Sequence, residues 1–173
     1  FLSVAREAGT AGKTRYYSHG VAVGDYDADG FPDVLVTGFG GLVLWHNQGD
    51  GTFGDVTPAS GLTDSLWSSS AAWGDVNGDG HLDLYVAHYV NWSFQNNPLC
   101  PSKSNGQQDI CPPRLFDPLP DTLYLGRGDG TFADASQQSG LVLSGACGKG
   151  LGVLICDIDH DSDLDIYVCN DTV

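Results

Sequence analysis

Residues 25–33 read Asp-Tyr-Asp-Ala-Asp-Gly-Phe-Pro-Asp, and this stretch limits the fold more than any other in the chain. Acids stand at every second position, and a glycine allows a sharp turn before the last of them. In a curled loop Asp25, Asp27 and Asp29 point inward, Gly30 takes φ > 0 at little steric cost, the Phe31 carbonyl offers a further oxygen and Asp33 closes the shell. An all-oxygen set of this kind suits Ca²⁺, which takes about six to eight oxygens at roughly 2.3–2.6 Å. Mg²⁺ fits less well, because it demands strict octahedral geometry and keeps its waters. A catalytic carboxylate pair is disfavoured, since all the acids converge on one point and none is left over as a poised acid or base.

The pattern returns twice, at residues 75–83 with Asp75, Asn77, Asp79, His81 and Asp83, and at residues 157–165 with Asp157, Asp159, Asp161, Asp163 and Asp165. His81 stands at the position of Phe31, where the backbone carbonyl is the ligand; its ring and that of His160 are expected to face solvent. Without a cation, the closely spaced acids of the third loop would repel one another. Each loop is entered by a small or apolar stretch (Val21, Ala22, Val23; Ala71, Ala72, Trp73; Val153, Leu154, Ile155) and left by a β-branched or aromatic one (Val34, Leu35, Val36; Leu84, Tyr85, Val86; Ile166, Tyr167, Val168). Both flanks have strand chemistry, so each loop sits in the bend of a β-hairpin.

A second element also recurs. Residues 44–53 and 123–132 both end in Gly-Asp-Gly-Thr-Phe, a tight hairpin signal, and both run into a small-residue tail closing on Gly-Leu. One unit is therefore two hairpins, and four-stranded antiparallel units repeating about every 50 residues read as β-propeller blades. The expected fold is all-β, with about three blades. Residues 1–14 supply the last strand of a blade, 15–62 the first repeat, 63–141 the second repeat with an insert at 91–119, and 142–173 the first half of a third.

These motifs resemble the FG-GAP/VCBS repeats of integrin α-subunit propellers, and are more similar still to the cartilage acidic protein-like proteins of bacteria and animals. The resemblance spans the chain except the insert. It implies a secreted or surface propeller holding Ca²⁺ in its blade hairpins, here up to three ions. Two departures stand out: Ser162 replaces the loop glycine of the third site, and such propellers have about seven blades. An open three-blade arc leaves apolar faces and strand edges uncovered, so this chain is expected to be part of a larger propeller or to assemble with copies of itself, in a ring or an open fibre.

The formal charge of −15, from 22 acids against seven Lys and Arg, excludes a phosphate-binding groove and hence a nucleic-acid partner. No run of eighteen apolar residues exists, which argues against membrane insertion by a helix. The N-terminal residues lack the features of a signal peptide, so the chain reads as mature or trimmed. Cys100 and Cys111 bracket a polar, Pro-containing part of the insert and are the disulfide candidates, pointing to an oxidising compartment; the pairing of Cys147, Cys156 and Cys169 stays open. Two sequons, at Asn91 and Asn170, permit N-glycosylation.

Other features read as structure. Arg127-Gly128-Asp129 occupies the same turn as Gln48-Gly49-Asp50, which marks it as turn chemistry. The five histidines have no zinc-hydrolase spacing, and Ser68-Ser69-Ser70 lacks a nucleophile-elbow context. Of four tryptophans, Trp45 and Trp73 fit blade packing, while Trp67 and Trp92 remain open as a sugar platform. The sequence thus describes a non-enzymatic, extracellular, calcium-stabilised propeller segment for adhesion, matrix contact or filament assembly, with a protein or glycan partner. The alternative is a propeller domain of a larger secreted enzyme or a carbohydrate-binding module, with the insert and Trp92 near the ligand.

Overall fold

The computed structural model describes residues 3–11, 17–141 and 148–171. Among the described residues, ten strands form three antiparallel sheets whose strands lie side by side in chain order. The first sheet holds β1 (Tyr17–Gly24), β2 (Asp33–Phe39), β3 (Gly41–Asn47) and β4 (Phe53–Asp55). The second holds β5 (Ser68–Gly74), β6 (Asp83–His88), β7 (Thr122–Gly126) and β8 (Phe132–Asp134), and the third pairs β9 (Gly150–Cys156) with β10 (Asp165–Asn170). The only helical pieces among the described residues are α1 (Thr57–Ser60) and a 3-10 turn at Pro113–Leu115. The fold is all-β, built from four-stranded propeller blades.

The first strands stand next to one another, β1 against β5 and β5 against β9, so the sheets fan out from a shared inner edge. Glycine makes this closeness possible. A Cβ on Gly24 would lie 2.8 Å from the Trp73 ring, and one on Gly74 would lie 2.6 Å from Ile155 Cγ2, so each glycine receives the penultimate side chain of the next blade's first strand. The same irregularity recurs too: the β1/β2 register shifts between Ser18 and Gly20, and the β5/β6 register between Ser68 and Ser70.

Strand alternation divides the core into two layers. Leu84 and Val86 of β6 face the first sheet with Leu35, Leu44, Tyr124 and Phe132, whereas Tyr85 and Ala87 face the third with Leu123, Val153, Ile155 and Ile166. Every residue of β6 is consequently buried. On the outward faces of the first and third sheets, Val21, Val23, Leu154 and Tyr167 are more than half exposed.

Residues 3–11, expected as part of a last blade strand, form a turn instead, joined to the first sheet by the N–H of Phe53 donating to the Ala8 carbonyl. They correspond to the small-residue tails after β4 and β8, where the chain leaves the sheet. Phe1 and Leu2, which would precede that turn, lie outside the described residues, as does Cys147.

The insert leaves after β6 and returns before β7. Its two ends are zipped by a bridge between Val90 and Pro118 and by the Asn91 N–H donating to the Asp117 carbonyl. Beneath this neck lies a buried polar network that no local pattern announces. His88, fully buried, donates from Nδ1 to the Pro120 carbonyl at 2.7 Å, and its Nε2 lies 2.9 Å from Asp64 Oδ2, which also accepts the Ser68 hydroxyl. Asp121 accepts the His88 backbone N–H and the Tyr85 hydroxyl, and burial pushes its carboxyl up. Burial pushes Asp64 up as well, but the hydrogen bond and charge of His88, with Ser68 and the Leu66 N–H, outweigh it and hold Asp64 below the usual carboxylate range.

A depressed carboxylate contributes stability that is present above its unfolded pKa, near 4, and is lost as pH falls through its lower folded value. Asp64→Ala, which strands a buried imidazole, is expected to cost about 3 kcal/mol at pH 7 and distinctly less at about pH 2–3. Urea unfolding of the two proteins at both pH values checks this; an equal difference at each would show that Asp64 does not act through its charge.

Candidate metal centre

Each hairpin bend is shaped by its first acid. Asp25 accepts the N–H groups of Asp29 and Gly30, Asp75 those of Gly78, Asp79 and Gly80, and Asp157 those of His160 and Ser162. The fifth-position acids cap the next turn: Asp29 accepts from Phe31, Asp79 from His81 and Asp161 from Asp163. The His81 N–H, with the Asn77 side chain, holds Asp79 below the normal carboxylate range.

Curling this tightly requires left-handed backbone at two positions per loop. The sixth position is one, as the glycine pattern foretold: φ is 91° at Gly30, 88° at Gly80 and 80° at Ser162. The fourth is the other, and sequence reading missed it, because Ala28 (58°) and His160 (66°) are not turn residues; only Gly78 (73°) carries the signal. The second loop is therefore free of this strain, the first has one strained residue and the third has two.

The ninth-position acids do more than close a shell. Asp33 and Asp83 are fully buried. Asp83 Oδ2 accepts the Val76 N–H and Oδ1 the Gly126 N–H, both at 2.9 Å; Asp33 likewise accepts from Tyr26 at 3.3 Å and Asn47 at 2.7 Å. One carboxylate thus ties the loop to the end of the third strand. Burial pushes both groups up despite these bonds. Asp165 repeats the first bond, to Ile158, at 2.8 Å.

Among the described residues, Asp25, Asp27 and Asp29 each bring one oxygen into a cluster within 4.8 Å of one another, as do Asp157, Asp159 and Asp165. The second loop does not converge in this way through its acids, because Asn77 stands in the set and donates from Nδ2 to Asp79 Oδ2. His46, which sequence reading left aside, joins the first loop: its Nδ1 lies 3.3 Å from both Asp27 Oδ2 and Asp33 Oδ1. A fit to Ca²⁺ can be tested on this site. The loop donors are hard carboxylate oxygens, and Asp27 Oδ1 is buried without a hydrogen-bond partner, an atom left with unmet bonding capacity. The residues present fit the ion.

The Gly-Asp-Gly turns lie beside the loops. Asp50 Oδ1 accepts the N–H and hydroxyl of Thr52, and Asp129 Oδ1 those of Thr131. A Cβ on Gly49 would lie 2.7 Å from the Phe31 ring, and one on Gly128 would lie 2.3 Å from His81. The seventh loop residue thus packs on the turn glycine, and Arg127-Gly128-Asp129 is built as the Gln48-Gly49-Asp50 turn is. The disulfide joins Cys100 and Cys111, while Cys156 and Cys169 are free. Asn91 and Asn170 are both exposed, although Thr172 of the second sequon lies outside the described residues.

Hairpin-bend acid loops on four-stranded blades define a propeller-repeat protein. The chain belongs to the FG-GAP-like repeat family, whose model matches residues 25–86 and 105–168. It is similar to cartilage acidic protein 1 of Mus musculus, 31% identical over 125 residues that cover 69% of this chain and 19% of that protein. The Homo sapiens protein of the same name is also 31% identical over 125 residues, covering 69% and 18%. The chain therefore spans about a fifth of the length of these curated relatives. No helix among the described residues is long and apolar enough to cross a membrane.

Asp83→Ala strands two buried N–H groups and is expected to cost about 3 kcal/mol in EDTA-containing buffer, measured by chemical denaturation. A loss seen only with Ca²⁺ present would refute the strap. Ser162→Gly relieves a left-handed serine and should stabilise by about 0.5–1 kcal/mol in the same assay, after allowance for the freer unfolded glycine. Unchanged or lower stability would count against strain at that turn.

Proposed function

We propose that the chain is a non-enzymatic, calcium-stabilised propeller segment of an extracellular protein, whose blade surface serves adhesion, matrix contact or assembly. The observation that carries the metal reading is the convergence of Asp25, Asp27 and Asp29, together with a buried Asp27 oxygen that has no hydrogen-bond partner. Asp25, Asp27, Asp29, the Phe31 carbonyl and Asp33 would hold the first ion. Asp75, Asn77, Asp79, the His81 carbonyl and Asp83 would hold the second, and the acids at 157–165 the third. Bound Ca²⁺ supplies positive charge that offsets carboxylate repulsion at the hairpin bends.

The non-enzymatic reading rests on chemistry. Most acids of the loops, among them Asp25, Asp29, Asp33, Asp75, Asp79, Asp83, Asp157 and Asp165, are engaged by backbone N–H groups. Ser68 and His88 both bond to Asp64 rather than to each other, and His88 is fully buried, so no nucleophile meets a base there. The Cys100–Cys111 disulfide supports an oxidising, extracellular setting. Exposed apolar side chains on both outer sheet faces support contact with a protein partner, further blades or another copy.

Isothermal titration of the EDTA-treated protein is expected to show uptake of up to three Ca²⁺, and saturating Ca²⁺ at about 100 times Kd should add roughly 2.7 kcal/mol per linked site. Asp27→Ala should abolish the tightest event, since the first loop keeps its full set of charged ligands, and the strained 157–165 loop should fill last. No stoichiometric uptake together with unchanged melting in EDTA would overturn the reading.

A further inference from the structure

Where the insert folds back on the second sheet it lines an open cavity of about 540 Å³, in the size range of small-molecule sites. Trp67, Tyr89, Trp92 and Phe116 supply aromatic walls, and Asn97 and Asp109 stand among the lining residues. The rings are braced against one another, with centroids 5.4 Å apart for Trp67 and Tyr89 and 5.6 Å apart for Trp67 and Trp92. Their polar edges are tied down: the Trp67 indole N–H donates to His19 Nε2 and the Trp92 indole N–H to Asn97 Oδ1, each at 2.9 Å. A ligand in the cavity would therefore meet ring surface rather than free indole N–H groups.

The polar groups are complementary. With Asn97 Oδ1 taken by Trp92, the Nδ2 amide remains a free donor; with Asp109 Oδ1 accepting the Ile110 N–H at 2.8 Å, Oδ2 remains a free acceptor among the described residues. The wall is pre-formed. The disulfide fixes Cys111 to Cys100, while Gln108 accepts the Cys100 N–H and donates to the Asp109 carbonyl. A sugar hydroxyl both donates and accepts, so neighbouring hydroxyls meet an amide donor and a carboxylate acceptor, and the C–H face of a pyranose can lie on an indole. The net charge of −15 works against sulfated or sialylated sugars.

We propose that this cavity is a binding site for a neutral hexopyranose, such as the exposed unit of a neutral glycan. The proposal rests on reading the chain as an extracellular binding module, and it is independent of the calcium loops. The test uses the full-length protein in Ca²⁺ buffer, titrated with methyl β-D-glucopyranoside, methyl β-D-galactopyranoside, methyl α-D-mannopyranoside and methyl N-acetyl-β-D-glucosaminide. Binding is followed by tryptophan fluorescence and saturation-transfer NMR. At least one sugar should bind saturably with Kd of the order of 1 mM, with transfer strongest to one face of the ring. Trp92→Ala and Asp109→Asn should each weaken binding about tenfold. Asp109 is exposed, so its variant should melt like the parent and keep the test valid if the tryptophan variant unfolds the insert. No saturable binding of any of the four sugars, in protein that still takes up Ca²⁺, would overturn the glycan site and leave the calcium reading standing. Affinity that survives Asp109→Asn, or tighter binding of a heparin oligosaccharide or a leucine- and phenylalanine-rich peptide at the same tryptophans, would overturn it equally.

Discussion

The buried ninth-position carboxylate is the joint on which each complete blade depends. Asp33 and Asp83 lie under their loops with no exposure, each accepting one N–H from the loop and one from the end of the third strand. A carboxylate in that position is costly to desolvate, which is why burial raises both groups. Two fixed backbone donors offset the cost and turn an expensive group into a specific one. The acid-loop geometry is thus held from within the blade, independently of any ion.

The same loops also connect one blade to the next. Tyr26, the second residue of the first loop, stacks on Trp73 at 6.3 Å and lies 5.8 Å from Phe132, both in the second sheet. Its hydroxyl pKa is raised to about 12, first by burial and then by the acids around it. Val76, at the equivalent place, packs with the layer shared by the second and third sheets. Ile158, in the third loop, is about half exposed. In the first two repeats the same sequence position therefore faces the following blade. Loop order and blade packing are coupled through this side chain, so whatever orders the bend also steadies the interface beyond it.

Much of this was legible because it is local. Alternating acids, a glycine at the sixth position and strand residues on both sides put the loops, hairpins and blades on the page before any coordinates. Of the strand expected at residues 1–14, residues 3–11 show a turn, because they match the tails after β4 and β8, which form the short helix α1 and a turn. What stayed hidden depends on partners far along the chain. Asp64 and His88 are 24 residues apart and His88 and Pro120 are 32 apart, and no pattern rule links them. His46 carries no signal either, because its equivalent in the second repeat, Leu125, is apolar. The left-handed fourth position was invisible for the opposite reason: it is a local property, but alanine and histidine do not advertise it.

The insert shows how such a blade tolerates an excursion that would seem ruinous. In the first sheet β2 turns into β3 through Gly40 alone, at φ 95°, whereas the second sheet crosses the same gap with residues 89–121. Loop-closure entropy grows only logarithmically, so about five doublings of length cost roughly 3 kcal/mol. The Cys100–Cys111 bond, closing an 11-residue separation, offsets about 3 kcal/mol of this by restricting the unfolded chain. The neck is then secured by His88 and Asp121, which bind the returning chain to the second strand of the blade. Position follows from the same physics: the excursion leaves at the end opposite the acid loops, so neither its length nor its aromatic cavity disturbs the carboxylates that organise the blade.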